Sequence, residues 1–474
     1  MRGNLVKKFT DHKKEGMMRE NGVKRFVEGM GLLLLACAIL AFSGCGGGSG
    51  GVSQVTAAPA DAVIISAGQM VQEGRQIFRF DTFGDEAFWG DTLKLHQAIA
   101  GAANGGVGAG VSPATALAVG LKIDLDALPA ALVTQLQNGA VDLASPATTL
   151  ALLKLNSVVG VTGFFDAAGN ITSLGIQCAF CHSTVDSSFS APGIPTGNIG
   201  HRLDGWNNQD LNVGAIVNLS PDLSAVVALL GVPDATVRAV LAGWGPGKYD
   251  AELFVDGIGA VPGGAPGSSA TLIPPAYGLA GMNLHTSAGW GGVSHWNAFV
   301  AILEMHGKGT FYDPRLRDAV KFPVAAAAGL DNVRNVPDLV TAKLPALQAY
   351  QLAIAAPAPP AGSFDAAAAL RGQIVFNGNG RCATCHVPPL FTEPGWNMHT
   401  PAEIGIDAFQ ANRSPDGHYR TTPLKGLWSH MKRGFYHDGR FATLLDVINH
   451  YDTFLVLGLT VAEKADLVEY LKSL

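Results

Sequence analysis

The sequence predicts a mainly α-helical protein built as two small domains with long connecting loops, and three observations carry that expectation. The first is helix punctuation. Thr460-Val-Ala-Glu463 has the pattern of a capping box, in which the Thr hydroxyl and the Glu carboxylate each satisfy a free backbone donor. Leu467, Val468, Leu471 and Leu474 then fall on one apolar face. Thr443 opens a shorter helix with Leu444, Val447, Ile448 and Tyr451 on one side. Residues 220–244 read as a further helical stretch interrupted at Gly231-Val-Pro233, with Ser220 as cap and Pro221 at the first position, where no donor is needed. The second observation is a break: residues 353–363 contain Ala-Pro-Ala-Pro-Pro-Ala-Gly, an extended, stiff linker. The third is a faint internal repeat. Gly74-Arg-Gln-Ile-Phe78 echoes Gly372-Gln-Ile-Val-Phe376, each a G-x-x-[IV]-F.

Composition sets the class. Of 474 residues, 48% are apolar and 15% charged, which can bury a large core and is unlike a disordered chain. The 59 Gly and 26 Pro imply much irregular loop. At the N-terminus, basic residues up to Arg25 precede an apolar run at 30–42, too short to span a bilayer. The run ends in Phe42-Ser43-Gly44-Cys45, similar to a bacterial lipoprotein cleavage site. Residues 1–44 are therefore read as a signal peptide, and 45–65 as a lipidated Cys45 and a flexible tether. The expected location is periplasmic, held to the membrane through the lipid anchor only. Without the signal, 24 basic and 34 acidic residues remain, a net charge of −10. That balance argues against nucleic acid and suits a small basic redox protein as partner.

Cysteine usage then supplies the chemistry. Cys37 lies in the signal and Cys45 at its end; the other four form two C-x-x-C-H motifs, Cys178/Cys181/His182 and Cys382/Cys385/His386. In such a motif two thiols bond to the vinyl groups of haem and the adjacent His becomes the proximal iron ligand. A structural zinc site needs four clustered ligands, and no further cysteine is available. A redox dithiol does not require the following His. The fold class becomes two cytochrome c-type haem domains, residues 66–352 and 364–474, joined by the 353–363 linker. The second motif begins six residues after Phe376, the first 100 residues after Phe78. The difference reads as an Ala/Leu/Gly-rich insertion in the first domain at about 86–172.

The last 110 or so residues resemble the C-terminal domain of bacterial diheme cytochrome c peroxidases. The shared words are Cys382-Ala-Thr-Cys-His-Val-Pro-Pro-Leu-Phe391, Thr422-Pro-Leu-Lys-Gly-Leu427 and Tyr436-His-Asp-Gly-Arg-Phe-Ala-Thr-Leu444, followed by a final helix at 462–471. Ile199-Gly-His-Arg202 is similar to the family segment carrying the sixth ligand of the peroxide-binding haem. The resemblance implies His201 as that ligand, and a surface His in a Gly-rich loop is the alternative. It places the sixth ligand of the second haem 14 residues after His437, at Tyr451, as in the branch that oxidises a protein substrate. Core packing is the alternative for Tyr451, and Met431 or Met398 are rival ligands. A distal carboxylate that moves protons is implied, with Glu304 as candidate and His306 beside it. An aromatic bridge between the haems is implied as well; Trp244 is the candidate, against Trp290 and Trp296. The family binds calcium between its domains, and Asn208 falls near the matching position.

These readings together predict a periplasmic diheme c-type oxidoreductase. The N-terminal haem reduces hydrogen peroxide with electrons relayed by the C-terminal haem. A non-enzymatic electron-transfer cytochrome and a diheme oxygenase or protein-modifying oxidase are the alternatives. The insertion is open to docking, a homodimer contact or substrate binding.

Overall fold

The computed structural model describes residues 61–260 and 269–474, so the expected signal peptide and Cys45 lie outside the described residues. The first described helix, α1 (Ala62–Phe80), is capped by Asp61, whose carboxylate accepts the Val63 N–H at 2.8 Å. Residues 62–65, expected to be tether, are therefore helical. Helix α1 crosses α2 (Leu344–Ala353) at Gly74, where a β-carbon would run into the Ala346 backbone. Four residues on, Phe78 is fully buried and meets the Tyr350 ring edge-on at 5.6 Å.

The same crossing recurs near the C-terminus. Helix α3 (Ala366–Asn377) packs on α5 (Val461–Lys472) through Gly372, which faces the Asp466 backbone with no room for a side chain. Phe376, also fully buried, meets Tyr470 edge-on at 5.1 Å. The sequence echo G-x-x-[IV]-F is thus a repeated device: Gly lets two helices touch, and Phe locks them against a Tyr. A fully buried Phe holds about 3–5 kcal/mol relative to Ala. Helix α4 (Leu444–Phe454), which precedes α5, and α5 itself both start in capping boxes, Thr443 with Asp446 and Thr460 with Glu463.

Ser220 does not cap a helix. Its hydroxyl donates to Leu93 O at 2.6 Å and also meets the 222 backbone, and the helix begins later, at Ser224–Leu230. It ends on Gly231 in the left-handed region, and a second helix, Asp234–Trp244, follows Pro233. No single described helix is long and apolar enough to cross a membrane.

Among the described residues, three apolar cores organise the chain. One joins most of the 86–172 stretch to residues 174–273; Trp89, Leu152, Phe180, Val217 and Trp244 belong to it. A second, around Phe78, Trp290, Phe299 and Tyr350, is closed by α1 and α2. The third is made wholly of residues between Val375 and Leu474. The described strands form only two-stranded sheets. The hairpin Val161–Phe165 with Ile171–Ile176 leads into the first C-x-x-C-H motif, and Ser183–Val185 pairs with Arg202–Asp204 just beyond it.

Charge is buried where the last part of the chain meets the first. Arg413, 1% exposed, donates to Asp256 at 2.7 Å, to Asp250 at 2.8 Å and to the Ser269 carbonyl at 3.2 Å. Glu252 stands beside them, bonded to Gln410 at 2.8 Å. Three carboxylates thus surround one guanidinium, whose fork geometry suits such an arrangement.

Candidate haem sites

Both C-x-x-C-H motifs are wound into a single turn. The His182 N–H donates to Cys178 O at 3.1 Å, and the His386 N–H to Cys382 O at 2.9 Å. Such a turn puts the two sulfurs and the following imidazole on adjacent corners. All four cysteines are free. His182 Nδ1 pairs with Pro274 O at 3.1 Å, and His386 Nδ1 with Phe391 O at 3.1 Å. A carbonyl at Nδ1 holds the proton there and leaves Nε2 as the lone-pair donor, the arrangement that orients a metal-binding imidazole. Burial pushes His182 down to about 4 and lowers His386, so both rings are neutral and able to ligate. Both residues are half-buried. These features fit two covalent haems.

The first motif straddles two cores, Cys178 packing on one and Cys181 on the other. Its trailing strand is clamped by Asp204, which accepts from Ser183 Oγ at 2.9 Å, Tyr350 Oη at 2.5 Å and Arg79 Nε at 2.5 Å. The clamp ties the motif to both α1 and α2. Asn208 braces it from another side. Its N–H donates to Cys181 O at 2.9 Å, its Nδ2 to Gly120 O at 2.8 Å, and its Oδ1 accepts the Asp210 N–H at 3.2 Å. Asn208 Oδ1, the atom that the expected calcium ion would contact, accepts this one N–H.

Close to Cys181 lies a buried acid. Glu304 sits in a π-helical turn, Val300–Glu304, that follows the helix Val293–Phe299; such turns are frequent at functional sites. Tyr249 Oη donates to Glu304 Oε2 at 2.5 Å, while Oε1 is buried without a partner. Burial raises Glu304 well above the usual carboxylate range, the Tyr249 hydrogen bond opposing it only in part. Cys181 senses the charge of Glu304, and Tyr249 in turn that of Cys181. His306, in left-handed backbone, stacks on Phe88 at 3.7 Å and has a buried, unpaired Nε2. Burial holds it near 4, so it too is neutral. Glu304 Oε1 and His306 Nε2, two positions apart in the chain, are thus both buried without a partner, each at a cost of about 1–3 kcal/mol.

His201 is not brought to this neighbourhood. It is exposed, with Nδ1 2.8 Å from Asp126 Oδ1 and its N–H donating to Asp186. Along its two-stranded ladder it lies four residues, roughly 13 Å, from His182. Trp244 lies in the first core, edge-on to Tyr249 at 5.2 Å, with its Nε1 unpaired. Trp290 and Trp296 pack on each other at 5.7 Å within the second core. The aromatic contact that crosses to the last part of the chain is another one. Trp206 meets Trp428 edge-on at 5.3 Å. Trp206 follows Gly205, whose N–H donates to His182 O, and Trp428 donates to Pro357 O of the linker. Nothing in the sequence marks these two tryptophans, because their meeting depends on how the two parts dock.

The second motif sits in the third core, where Cys382, Met431 and Tyr436 pack together. Tyr451 lies near enough to feel the charge of Cys385 and Cys382, and its ring stands 6.4 Å from that of Tyr436. Burial raises both phenols. Tyr451 and Met431 thus both stay within the surroundings of this motif. Met398 instead lies against Gly289, outside that core. Cys385, Glu393 and His399 place one ligand atom each within 4.8 Å of one another. Glu393 and His399 are already paired at 2.6 Å, and a thioether at Cys385 could not serve as a thiolate ligand.

No family model and no curated protein matches the chain. Among solved structures, it is similar to a MauG-like protein associated with microbial copper homeostasis. That likeness has 22% identity and a TM-score of 0.23, over 32% of this chain and 60% of the other, so the chain spans less than two thirds of that protein. It is also similar to the hydrazine synthase of Kuenenia stuttgartiensis, with 19% identity and a TM-score of 0.25, over 44% of this chain and 74% of the other.

Proposed function

We propose that the chain is an exported diheme c-type oxidoreductase that reduces hydrogen peroxide at the Cys178–Cys181–His182 haem, with electrons passed on from the Cys382–Cys385–His386 haem. The observation that carries this reading is the buried Glu304–Tyr249 pair beside Cys181, next to a proximal His whose Nε2 is kept free. A haem held by Cys178, Cys181 and His182 would supply electron transfer and a metal centre for the peroxide. The chain supplies the rest. Reduction of peroxide to two waters consumes two electrons and two protons, and the protons must be handed over inside an apolar pocket. Glu304 holds a proton at neutral pH because burial disfavours its anion. Tyr249 fixes one carboxyl oxygen and leaves Oε1 for the substrate. His306, neutral, offers Nε2 as a second hydrogen-bonding atom. Trp206 and Trp428 form the aromatic contact between the two parts along which the electrons pass. The acidic surface suits a small basic redox protein as electron donor, and Cys45 suits anchoring in a periplasmic setting.

A second reading, oxidation of a protein substrate, is favoured by one observation: Tyr451 stays beside the second motif as a candidate phenolate ligand. Optical titration of the reduced holoprotein with peroxide tests both. We expect the N-terminal haem spectrum to change and Glu304→Gln to slow peroxide turnover by about 10²–10⁴-fold while the resting spectra stay the same. If peroxide alters neither haem, the protein is an electron carrier.

A further inference from the structure

We propose that the first core contains a binding and entry site for a small, uncharged, apolar molecule of diatomic size, such as dioxygen. Two neighbouring cavities carry the inference. The larger, about 60 Å³, lies between Leu95, Leu152, Val161 and Phe180, and the smaller, about 20 Å³, lies between Phe88, Leu241, Trp244 and Tyr249. Trp89 and Val217 line both, so these two side chains are the wall between them.

The linings decide the ligand class. Every lining side chain in the smaller cavity is aliphatic or aromatic, and the larger adds only Pro113 and Thr149. A buried water needs two to four polar partners, and these walls do not provide them. Peroxide, which is polar and hydrogen-bonded in solution, loses its partners on entering. A diatomic gas loses nothing, and about 60 Å³ exceeds the roughly 10–15 Å³ that one water-sized occupant takes. The cavities also end at the candidate site. Phe180 is a residue between the two cysteines of the first motif, and Cys181 packs on the core that encloses both cavities. At the other end, Tyr249 lines the smaller cavity with its ring and donates its hydroxyl to Glu304. Well-packed interiors hold few voids larger than a water molecule. Here two adjoin, in a core that joins residues 86–172, the stretch separating the first motif from its Gly74–Phe78 helix, to residues 174–273.

The kinetic part of the proposal rests on the haem reading above; the binding part does not. Xenon, apolar and of suitable size, is the first probe. Crystals of the holoprotein under xenon pressure are expected to show density in both cavities. The second probe is carbon monoxide, rebinding to the reduced N-terminal haem after flash photolysis. Val217→Phe, placed in the shared wall, is expected to slow rebinding from solvent about tenfold. Leu152→Phe should fill the larger cavity and exclude xenon from it. Peroxide turnover should be unchanged in both variants. Absence of xenon from both cavities in the wild type overturns the proposal, whether or not either variant folds. Xenon in place with unchanged rebinding in Val217→Phe overturns the entry role. If carbon monoxide binds neither haem, it is the haem reading that falls, and the xenon result alone decides the cavities.

Discussion

The two C-x-x-C-H motifs share one local geometry and sit in different surroundings. Around the first, Cys178 and Cys181 are wedged between two cores, with Asp204 fastening the neighbouring strand to α1 and α2. Beside it lie a raised carboxyl and two polar atoms with no partner. Around the second, one small core drawn from residues between Val375 and Leu474 closes on the motif with a thioether and two phenols nearby, Met431, Tyr436 and Tyr451. The first site has an unpaired carboxyl oxygen and an unpaired imidazole nitrogen, and the second an unpaired Tyr436 hydroxyl beside the Met431 thioether; under the proposed function the first would take the substrate and the second would supply a sixth ligand. A motif of this kind fixes what is bound, while its surroundings decide whether the bound group does chemistry or stores electrons.

The largest effect expected is loss of cofactor. Replacing Cys178 and Cys181 by Ala should remove one haem mass from the purified protein, and replacing Cys382 and Cys385 should remove the other. Because the first motif ties two cores together, the first variant should also lose more thermal stability. Equal losses of stability would break the comparison, and a wild-type mass without added haem would end it.

Next in size is Arg413→Met. Removing the guanidinium leaves Asp250, Glu252 and Asp256 buried together without a cation, a cost of about 3–5 kcal/mol. We expect calorimetry to show the 364–474 part melting at a lower temperature than the rest, as two transitions. A single transition at the wild-type temperature would mean that the Arg413 cluster does not hold the parts together.

Tyr451→Phe sharpens the electron-storing side. If the phenolate ligates iron, the ferric spectrum of the C-terminal haem should change and its potential should move by about 60 mV or more, a tenfold change for a one-electron couple. An unchanged spectrum assigns Tyr451 to the core and passes the ligand role to Met431.

The smallest effect concerns Glu252, which burial raises from its ordinary 4.5 to about 7. A raised carboxyl binds its proton more tightly in the folded state. Its stabilising contribution is complete below about pH 4.5 and fades as pH climbs through 7. Glu252→Gln should therefore flatten the fall in melting temperature between those values. An identical slope in the variant would show that other groups control it.

Features built from residues close together along the chain are legible in the sequence itself. The capping box at Thr460 and the cap at Thr443 are local exchanges of hydrogen bonds within one turn, and both stand as expected, Thr443 gaining a return bond from Asp446 as well. The two C-x-x-C-H turns are equally local, since Cys, Cys and His meet through one turn of backbone. Even the G-x-x-[IV]-F echo is visible there, although its partners Ala346, Tyr350, Asp466 and Tyr470 are not. Ser220 reads as a helix cap and is not one, because a cap and a long-range donor look alike in sequence, and Leu93 lies 127 residues away.

What the sequence determined by itself is the two C-x-x-C-H turns and the helix ends, because a handful of consecutive side chains and backbone groups suffice for each. Only the tertiary structure decided which groups surround each motif. Tyr249 reaches Glu304 across 55 positions, Trp206 meets Trp428 across more than 200, and Arg413 finds Asp250 across 163. It was packing that placed His201 at the surface with Asp126 and closed the first core around its two apolar cavities. Such contacts arise from burying whole faces of helices against one another, and no spacing along the chain encodes them.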